Sequence, residues 1–101
     1  MSEFTDSKLV SRLISDFGYS EWEARPVAED LVSCTPLVKT SFKHWWNTGE
    51  IGDLEIQGYT VQKLMKYRNM NTIAAFLTLD WLATEPEKAL VSLKRGYDYI
   101  K

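Results

Sequence analysis

Residues 72–83, with the sequence TIAAFLTLDWLA, are apolar on nearly every side of a helix. A helix that is hydrophobic all round is normally buried at the centre of a fold, so other helices must cover it. The chain has 101 residues, of which 45% are hydrophobic. That length provides one sizeable core but leaves too little for two. We therefore predict a single domain over residues 1–101, built around a central helix at 72–83.

Amphipathic helices with clear start and stop signals precede this segment. Apolar residues at helical spacing end directly before Gly18, which is typical of a left-handed C-terminal cap. Ser20 and Glu23 have the S-x-x-E spacing of a capping box and predict the start of a second helix. Pro26 lies so deep in that helix that we expect a kink or a later start there.

Further cap signals divide the rest of the chain into four more helices. Each begins with a residue whose side chain can accept a hydrogen bond from the first helical turn. The predicted N-caps are Thr35, Thr60, Asn71 and Thr84. Thr84 would form a second capping box with Glu87, and the last helix is expected to end near Gly96.

The third helix is predicted to stop at Gly49, and residues 49–58 then interrupt the helical pattern with glycines and the alternating apolar residues Leu54 and Ile56. We interpret this stretch as an extended loop. A short strand is the alternative, although the sequence shows no second strand to pair with it. The predicted fold class is therefore all-α, a single compact domain of five or six short helices around the central helix 72–83.

The sequence offers little for catalysis. Asp80 is the only charge in the central helix, and a carboxylate removed from water needs a hydrogen bond or a charged partner. It is either a catalytic acid or base, or a structural carboxylate bonded to a backbone amide, a Trp N–H, an Arg or water at the surface. No second catalytic group, phosphate-binding loop or nucleophile elbow accompanies it. We predict no catalytic residue, no cofactor and no enzymatic activity.

Metal binding is not predicted either. The only histidine, His44, is ten residues from the only cysteine, Cys34, which is about 15 Å along a helix. We expect Cys34 to pack as a small apolar residue. Three carboxylates in the loop invite a calcium interpretation but lack the spacing of an EF-hand. They are Glu50, Asp53 and Glu55.

Nothing in the sequence predicts membrane insertion or secretion. No run approaches the 18 apolar residues of a membrane span, and residues 1–9 lack the apolar core of a secretory signal. A single cysteine cannot form an internal disulfide, which fits a reducing compartment. We expect a cytoplasmic protein.

Residues 60–79 resemble the helix-turn-helix family. Thr60, the pair Leu64-Met65, the turn 69–71 and Leu79 occupy the corresponding places. The resemblance implies nucleic-acid binding, and the net charge of +2 over residues 54–101 provides cations for phosphate contacts. The candidate contacts are Lys63, Lys66, Arg68, Lys94 and Arg95. The second helix carries no Arg, Lys, Gln or Asn with which to read bases.

Residues 17–24, FGYSEWEA, resemble the opening of ubiquitin-associated domains, in which a short loop joins the first two helices. Gly18, Tyr19 and Ala24 match that pattern, and Trp45 resembles the aromatic residue of the third helix. The resemblance implies a small binding module.

In overall sequence character, the whole chain also resembles small all-helical proteins carried by mobile elements of Gram-positive bacteria. The similarity lies in DFGYSEWEA, in residues 46–50, in GYTVQKLM and in AAFLTLDWL. It implies an accessory or regulatory protein, or an inhibitor of a host enzyme.

The tryptophans are the main candidates for a partner surface. Trp45 and Trp46 lie about 100° apart around a helix, so they cannot both point to the centre of one core face. Trp45 is in phase with Val38 and Phe42, so we predict that Trp45 is buried and that Trp46 lies at the boundary or exposed. Trp22, which lies between two glutamates in the first turn of the second helix, is also expected to be exposed. Exposed Trp and Tyr are favoured anchors at protein interfaces. The alternative is that the exposed tryptophans cover the apolar residues of the loop.

The candidate interface residues are Trp22, Trp46, Tyr19, Glu21 and Glu23. The two glutamates, with Glu29 and Asp30, form an acidic face suited to a basic partner. We therefore expect a non-enzymatic helical protein that binds another macromolecule, in the first place a protein. A nucleic-acid binder is the runner-up and an enzyme built around Asp80 is third. No membrane partner is expected, and the sequence leaves homo-oligomerisation open.

Overall fold

Most of the helices form where the cap signals predict them. The computed structural model describes the backbone of residues 6–100 and the side chains of residues 8–93. The helices within that range are α1 (Asp6–Phe17), α2 (Glu21–Val32), α3 (Pro36–Thr48), α4 (Val61–Arg68), α5 (Thr72–Thr84) and α6 (Pro86–Ile100). Two short strands, β1 (Glu55–Ile56) and β2 (Tyr59–Thr60), lie between α3 and α4. The all-α fold class is therefore confirmed.

Local hydrogen bonds and backbone angles set the ends of the first helices. The N–H of Ser20 donates to Oε1 of Glu23 at 3.1 Å, and the N–H of Glu23 donates to Oγ of Ser20 at 3.2 Å, which confirms the capping box. Gly18 and Gly49 follow α1 and α3 with φ of 74° and 80°. Glycine adopts these left-handed angles without steric cost, so both predicted stop signals are confirmed.

The helix α2 runs through Pro26 and begins at Glu21, so the alternative of a later start is wrong. Proline has no N–H, and the carbonyl of Trp22, four residues earlier, therefore loses its α-helical donor. The capping box secures the first turn, which explains how the helix can begin ahead of the proline.

Two further caps are confirmed and one is wrong. Thr60 Oγ1 accepts the N–H of Lys63 at 3.1 Å, and Asn71 Oδ1 accepts the N–H of Ala74 at 2.7 Å. Thr84, however, is the last residue of α5, and its hydroxyl donates back to the carbonyl of Asp80 at 3.1 Å.

With Thr84 as its N-cap, the sixth helix would begin at residue 85, but it begins at Pro86. Proline fixes φ near the helical value and needs no donor partner at the first helical position, so it marks the start more strongly than Thr84 does. The helix also continues past Gly96 to Ile100, so the expected stop at Gly96 is wrong.

Residues 49–58 contain one strand of a small antiparallel hairpin, whose partner strand the sequence pattern missed. Glu55 pairs with Thr60, and Ile56 pairs with Tyr59. The two residues between the strands, Gln57 and Gly58, have φ of 54° and 84°. Positive φ at both central residues defines the tight turn that suits the twist of two antiparallel strands.

The helix α5 is the central element of its part of the chain, as predicted. It contacts α3, α4, α6 and both strands. Its buried residues face several directions around the helix, which explains why its sequence lacks a polar face. They are Ile73, Ala75, Phe76, Leu79 and Leu82.

The chain divides into two compact units, Met1–Cys34 and Thr35–Lys101. In the first unit α1 packs against α2, with Leu9, Leu13, Ala24, Ala28 and Leu31 buried. The second unit contains the remaining helices and the hairpin. The prediction of one domain over residues 1–101 stays a prediction. Within the described range, the helices lack the length and the apolar composition of a membrane-spanning segment.

Candidate protein-binding surface

Two of the four tryptophans belong to an aromatic cluster in the second unit. The ring centroids of Trp45 and Trp46 lie 5.8 Å and 5.3 Å from that of Phe42. Phe42 also meets Phe76 edge to face at 5.3 Å, and Trp45 lies 5.9 Å from Phe76. Such aromatic pairs contribute about 0.5–1.5 kcal/mol beyond the burial of their surface. Phe42 and Trp45 therefore join α3 to the central helix α5.

The prediction that Trp45 is buried and that Trp46 lies at the boundary or exposed is wrong. Trp46 is buried, with 6% of its surface exposed, whereas Trp45 is half-buried. Phe42 marks the direction in which α3 faces the core. Around the helix axis, Trp46 lies about 40° to one side of Phe42 and Trp45 about 60° to the other side, so Trp46 is closer to the core direction. Trp46 therefore offers no surface to a partner.

The third tryptophan, Trp81, is held by a hydrogen bond from its ring N–H to Oε1 of Glu85 at 3.1 Å. The fourth, Trp22, is 88% exposed. Its side chain makes no hydrogen bond or ring contact with any other side chain in the described range of residues 8–93. Trp22 is thus the tryptophan that the fold leaves in water, as predicted.

The capping box fixes the position of Trp22 on α2. Trp22 lies in the first turn, between Ser20 and Glu23, whose two reciprocal hydrogen bonds hold that turn. The N–H of Tyr19 donates to the carbonyl of Leu13 at 3.1 Å and ties the connection between the helices back to α1. Trp22 is consequently a large apolar side chain on a well-supported backbone.

The neighbours of Trp22 in the sequence are acidic. Glu21 lies 3.5 Å from Arg25, with both side chains 69% exposed, so this pair contributes little in water. Glu23 uses Oε1 to cap the helix, which gives this candidate interface residue a structural role as well. At the end of α1, Asp16 pairs with Arg12 at 3.2 Å.

The remaining candidate, Tyr19, is half-buried in the connection between α1 and α2. The sequence pattern missed Ile14, which is 40% exposed one turn before the end of α1. The helical spacing of residues 10, 13, 14 and 17 predicts that Ile14 lies on the inner face of the helix. A helix places adjacent residues about 100° apart, and the buried pair Leu9 and Leu13 shows where the inner face lies.

Charge is distributed unequally between the two units. Residues 1–34 contain three basic and seven acidic side chains, a net charge of −4. Residues 35–101 contain nine basic and seven acidic side chains, a net charge of +2. The exposed Trp22 therefore belongs to the acidic unit, which favours a basic partner and disfavours nucleic acid there.

The cations proposed for nucleic-acid contact do not form one exposed face in the described range. Lys63 and Lys66 are exposed on α4, where Lys63 donates to the carbonyl of Gly58 at 3.1 Å and Lys66 lies 5.5 Å from the ring centre of Tyr67. Arg68 is half-buried, with Nε and one terminal nitrogen enclosed. The side chains of Lys94 and Arg95 lie outside the described residues.

Asp80 forms a hydrogen bond of the kind that the structural alternative requires. Its Oδ1 accepts the backbone N–H of Thr35 at 2.8 Å, and the residue is half-buried. This bond gives one carboxylate oxygen a partner and holds the start of α3 against α5. Cys34 is 5% exposed, and its Sγ lies 3.4 Å from the carbonyl of Asp30, so the prediction of a packed thiol is confirmed.

Among the described residues, no three His, Cys, Asp or Glu side chains are grouped closely enough to hold a metal ion. His44 Nε2 lies 3.7 Å from a carboxylate oxygen of Glu50, with both side chains more than half exposed. Such a pair contributes little in water.

No family model, curated protein or solved structure matches this chain.

Proposed function

We propose that this chain is a non-enzymatic protein that binds another protein through the exposed start of α2. The surface consists of Tyr19, Glu21, Trp22 and Glu23, and we call it the Trp22 surface. The observation that carries the proposal is the 88% exposure of Trp22, while the other three tryptophans have contacts within the fold.

An exposed tryptophan on a helix secured by a capping box has the properties of an interface anchor. Tryptophan is enriched among the few interface residues that carry most of the binding energy. Its ring has only two rotatable bonds and loses little conformational entropy when a partner covers it. Removal of such an anchor typically costs about 2 kcal/mol or more, which corresponds to roughly 30-fold in the dissociation constant.

The proposed biological setting is based on the sequence. We propose an accessory, regulatory or inhibitory role in the cytoplasm, in keeping with the resemblance to small helical proteins of Gram-positive mobile elements. A carboxylate such as Asp80, engaged by a backbone N–H, supports a structural rather than a catalytic role.

Nucleic-acid binding through α4 is the alternative, and one observation favours it. Lys63 and Lys66 are both exposed on this helix. Against it, α5, which would have to read bases, is packed on several sides and has Asp80 as its only charged residue. Nonspecific binding through phosphates would need a broader basic surface than these two lysines provide.

Affinity capture from native cytoplasm tests the proposal. The lysate is divided into nuclease-treated and untreated halves, and both proteins and nucleic acids are identified. The baits are the wild-type chain, Trp22→Ala, the double variant Lys63→Glu/Lys66→Glu, and Leu37→Ala. The last variant is a matched control, because Leu37 is an apolar residue that is 61% exposed on another helix, α3.

The proposal predicts a stoichiometric protein that survives nuclease, is lost with Trp22→Ala and is retained by Leu37→Ala and by the lysine double variant. Recovery that disappears with nuclease and with the lysine double variant would instead establish the nucleic-acid alternative. A nuclease-resistant protein that Trp22→Ala still captures in full would show that the Trp22 surface is not the binding site.

A further inference from the structure

We infer that the partner presents an arginine side chain from a basic segment, and that its guanidinium stacks on the indole of Trp22. This inference rests on the proposed function and specifies the chemistry of the partner at the same surface. It follows from two features of the first turn of α2: the exposed π-face of Trp22, and exposed carboxylates on the residues directly before and after it in the sequence.

The π-face is the first requirement. The indole ring of tryptophan attracts cations more strongly than the rings of tyrosine or phenylalanine do. Trp22 is 88% exposed, so its ring is open to an incoming group. The nearest cation in the sequence, Arg25, lies 3.5 Å from Glu21, and within the described side chains it has no cation–π contact with Trp22.

The carboxylates provide charge complementarity. Glu21 and Glu23 precede and follow Trp22 in the sequence, and among the described side chains Glu21 has one ion pair, the 3.5 Å contact with Arg25. Glu23 uses Oε1 in the capping box, and in the described part of the chain its other carboxylate oxygen has no hydrogen bond. With a net charge of −4 over residues 1–34, this surface attracts a cationic segment and repels phosphates.

The shape of the guanidinium distinguishes arginine from lysine at this surface. A guanidinium carries five N–H donors in a plane and can stack on a ring while it donates at its edge. The ammonium of lysine is more strongly hydrated and cannot stack, so the arrangement favours arginine.

Nuclear magnetic resonance of the full chain with defined peptides tests this inference. The chain has four tryptophans, and Trp22→Phe identifies which indole N–H signal belongs to Trp22. The probes are three capped peptides of identical length and leucine content, whose charged positions are all arginine, all lysine or all glutamate. We expect the arginine peptide to shift the Trp22 signal saturably, about threefold or more tighter than the lysine peptide. The glutamate peptide should leave it unchanged.

Charge variants complete the test. Glu21→Gln/Glu23→Gln should weaken arginine-peptide binding about threefold at low salt, since exposed ion pairs are individually weak. Glutamine at residue 23 can still complete a capping box, so the first turn stays folded. The control is Glu55→Gln/Glu87→Gln, which removes the same charge from exposed residues on β1 and α6 and should change nothing.

Equal affinity of the arginine and lysine peptides, binding of the glutamate peptide, or a Trp22 signal that none of the peptides moves would each overturn the inference. These results leave the proposed function intact if Trp22→Ala still loses the captured protein. If Trp22→Ala retains that protein, the proposed function itself is wrong, whatever the peptides do. The two failures are therefore distinguishable.

Discussion

The backbone N–H of Thr35 donates a hydrogen bond of 2.8 Å to Oδ1 of Asp80, forty-five residues further along the chain. Thr35 is the N-cap of α3, and Asp80 is the only charged residue of α5. The bond therefore fixes the start of one helix on the central helix, and it explains why an apolar segment contains one carboxylate.

Asp80→Ala should lower the free energy of unfolding by about 1–3 kcal/mol, because it leaves the Thr35 N–H without its charged acceptor. Asp80→Asn should cost less, since the amide oxygen can still accept. Urea denaturation measures both, with Asp53→Ala at an exposed position as the control. Asp80→Ala with unchanged stability would show that the bond does not support the fold.

Trp46→Ala should lower the free energy of unfolding by about 3–5 kcal/mol, because it empties part of the aromatic cluster around Phe42. Trp22→Ala should change it by no more than about 0.5 kcal/mol, as is usual for exposed positions. Chemical denaturation of the two variants provides the comparison. A large loss of stability from Trp22→Ala would mean that Trp22 packs within the fold.

Ser20→Ala should weaken the start of α2, with a loss of about 0.5–2 kcal/mol typical of N-cap removal. The N–H of Glu23 loses its acceptor in this variant, so its amide hydrogen should exchange faster with solvent. Hydrogen exchange followed by nuclear magnetic resonance measures this effect, and Ser92→Ala, at an exposed position within α6, is the control. Unchanged exchange at Glu23 would contradict the capping box.

Gly49→Ala should destabilise the protein by about 1–2 kcal/mol, because an L side chain is strained at φ of 80°. Gly52→Ala is the matched control from the same stretch. Its φ is not in the left-handed region, and an added Cβ would lie 4.0 Å from Oγ of Ser41. In thermal denaturation, Gly49→Ala should lower the melting temperature more than Gly52→Ala does. Equal effects of the two variants would contradict the left-handed cap.

The parts of the fold that the sequence predicts well are governed by neighbouring residues. The Ser20 and Glu23 box, the caps at Thr60 and Asn71, and the stop at Gly49 involve contacts over four residues or fewer. Thr84 failed as a cap because the hydroxyl of a threonine inside a helix can equally donate to the preceding turn.

The incorrect predictions concern features that tertiary contacts determine. The choice between Trp45 and Trp46 depends on which side of Phe42 meets α5, and helical phase alone favours neither strongly. The second strand, Tyr59–Thr60, has two residues and was too short for any periodicity to show. The position of Trp22 between two glutamates in the first turn of α2 indicates exposure, but the 88% value depends on which side chains pack nearby and no local pattern predicts it.

The dissociation constant of the captured partner, measured by titration calorimetry with the wild-type chain and with Trp22→Ala, shows directly whether Trp22 is the binding anchor. We expect Trp22→Ala to weaken binding about 30-fold or more, while its unfolding free energy matches that of the wild type and Leu37→Ala binds normally. A folded Trp22→Ala variant that binds the partner as tightly as the wild type would show that Trp22 is not the anchor.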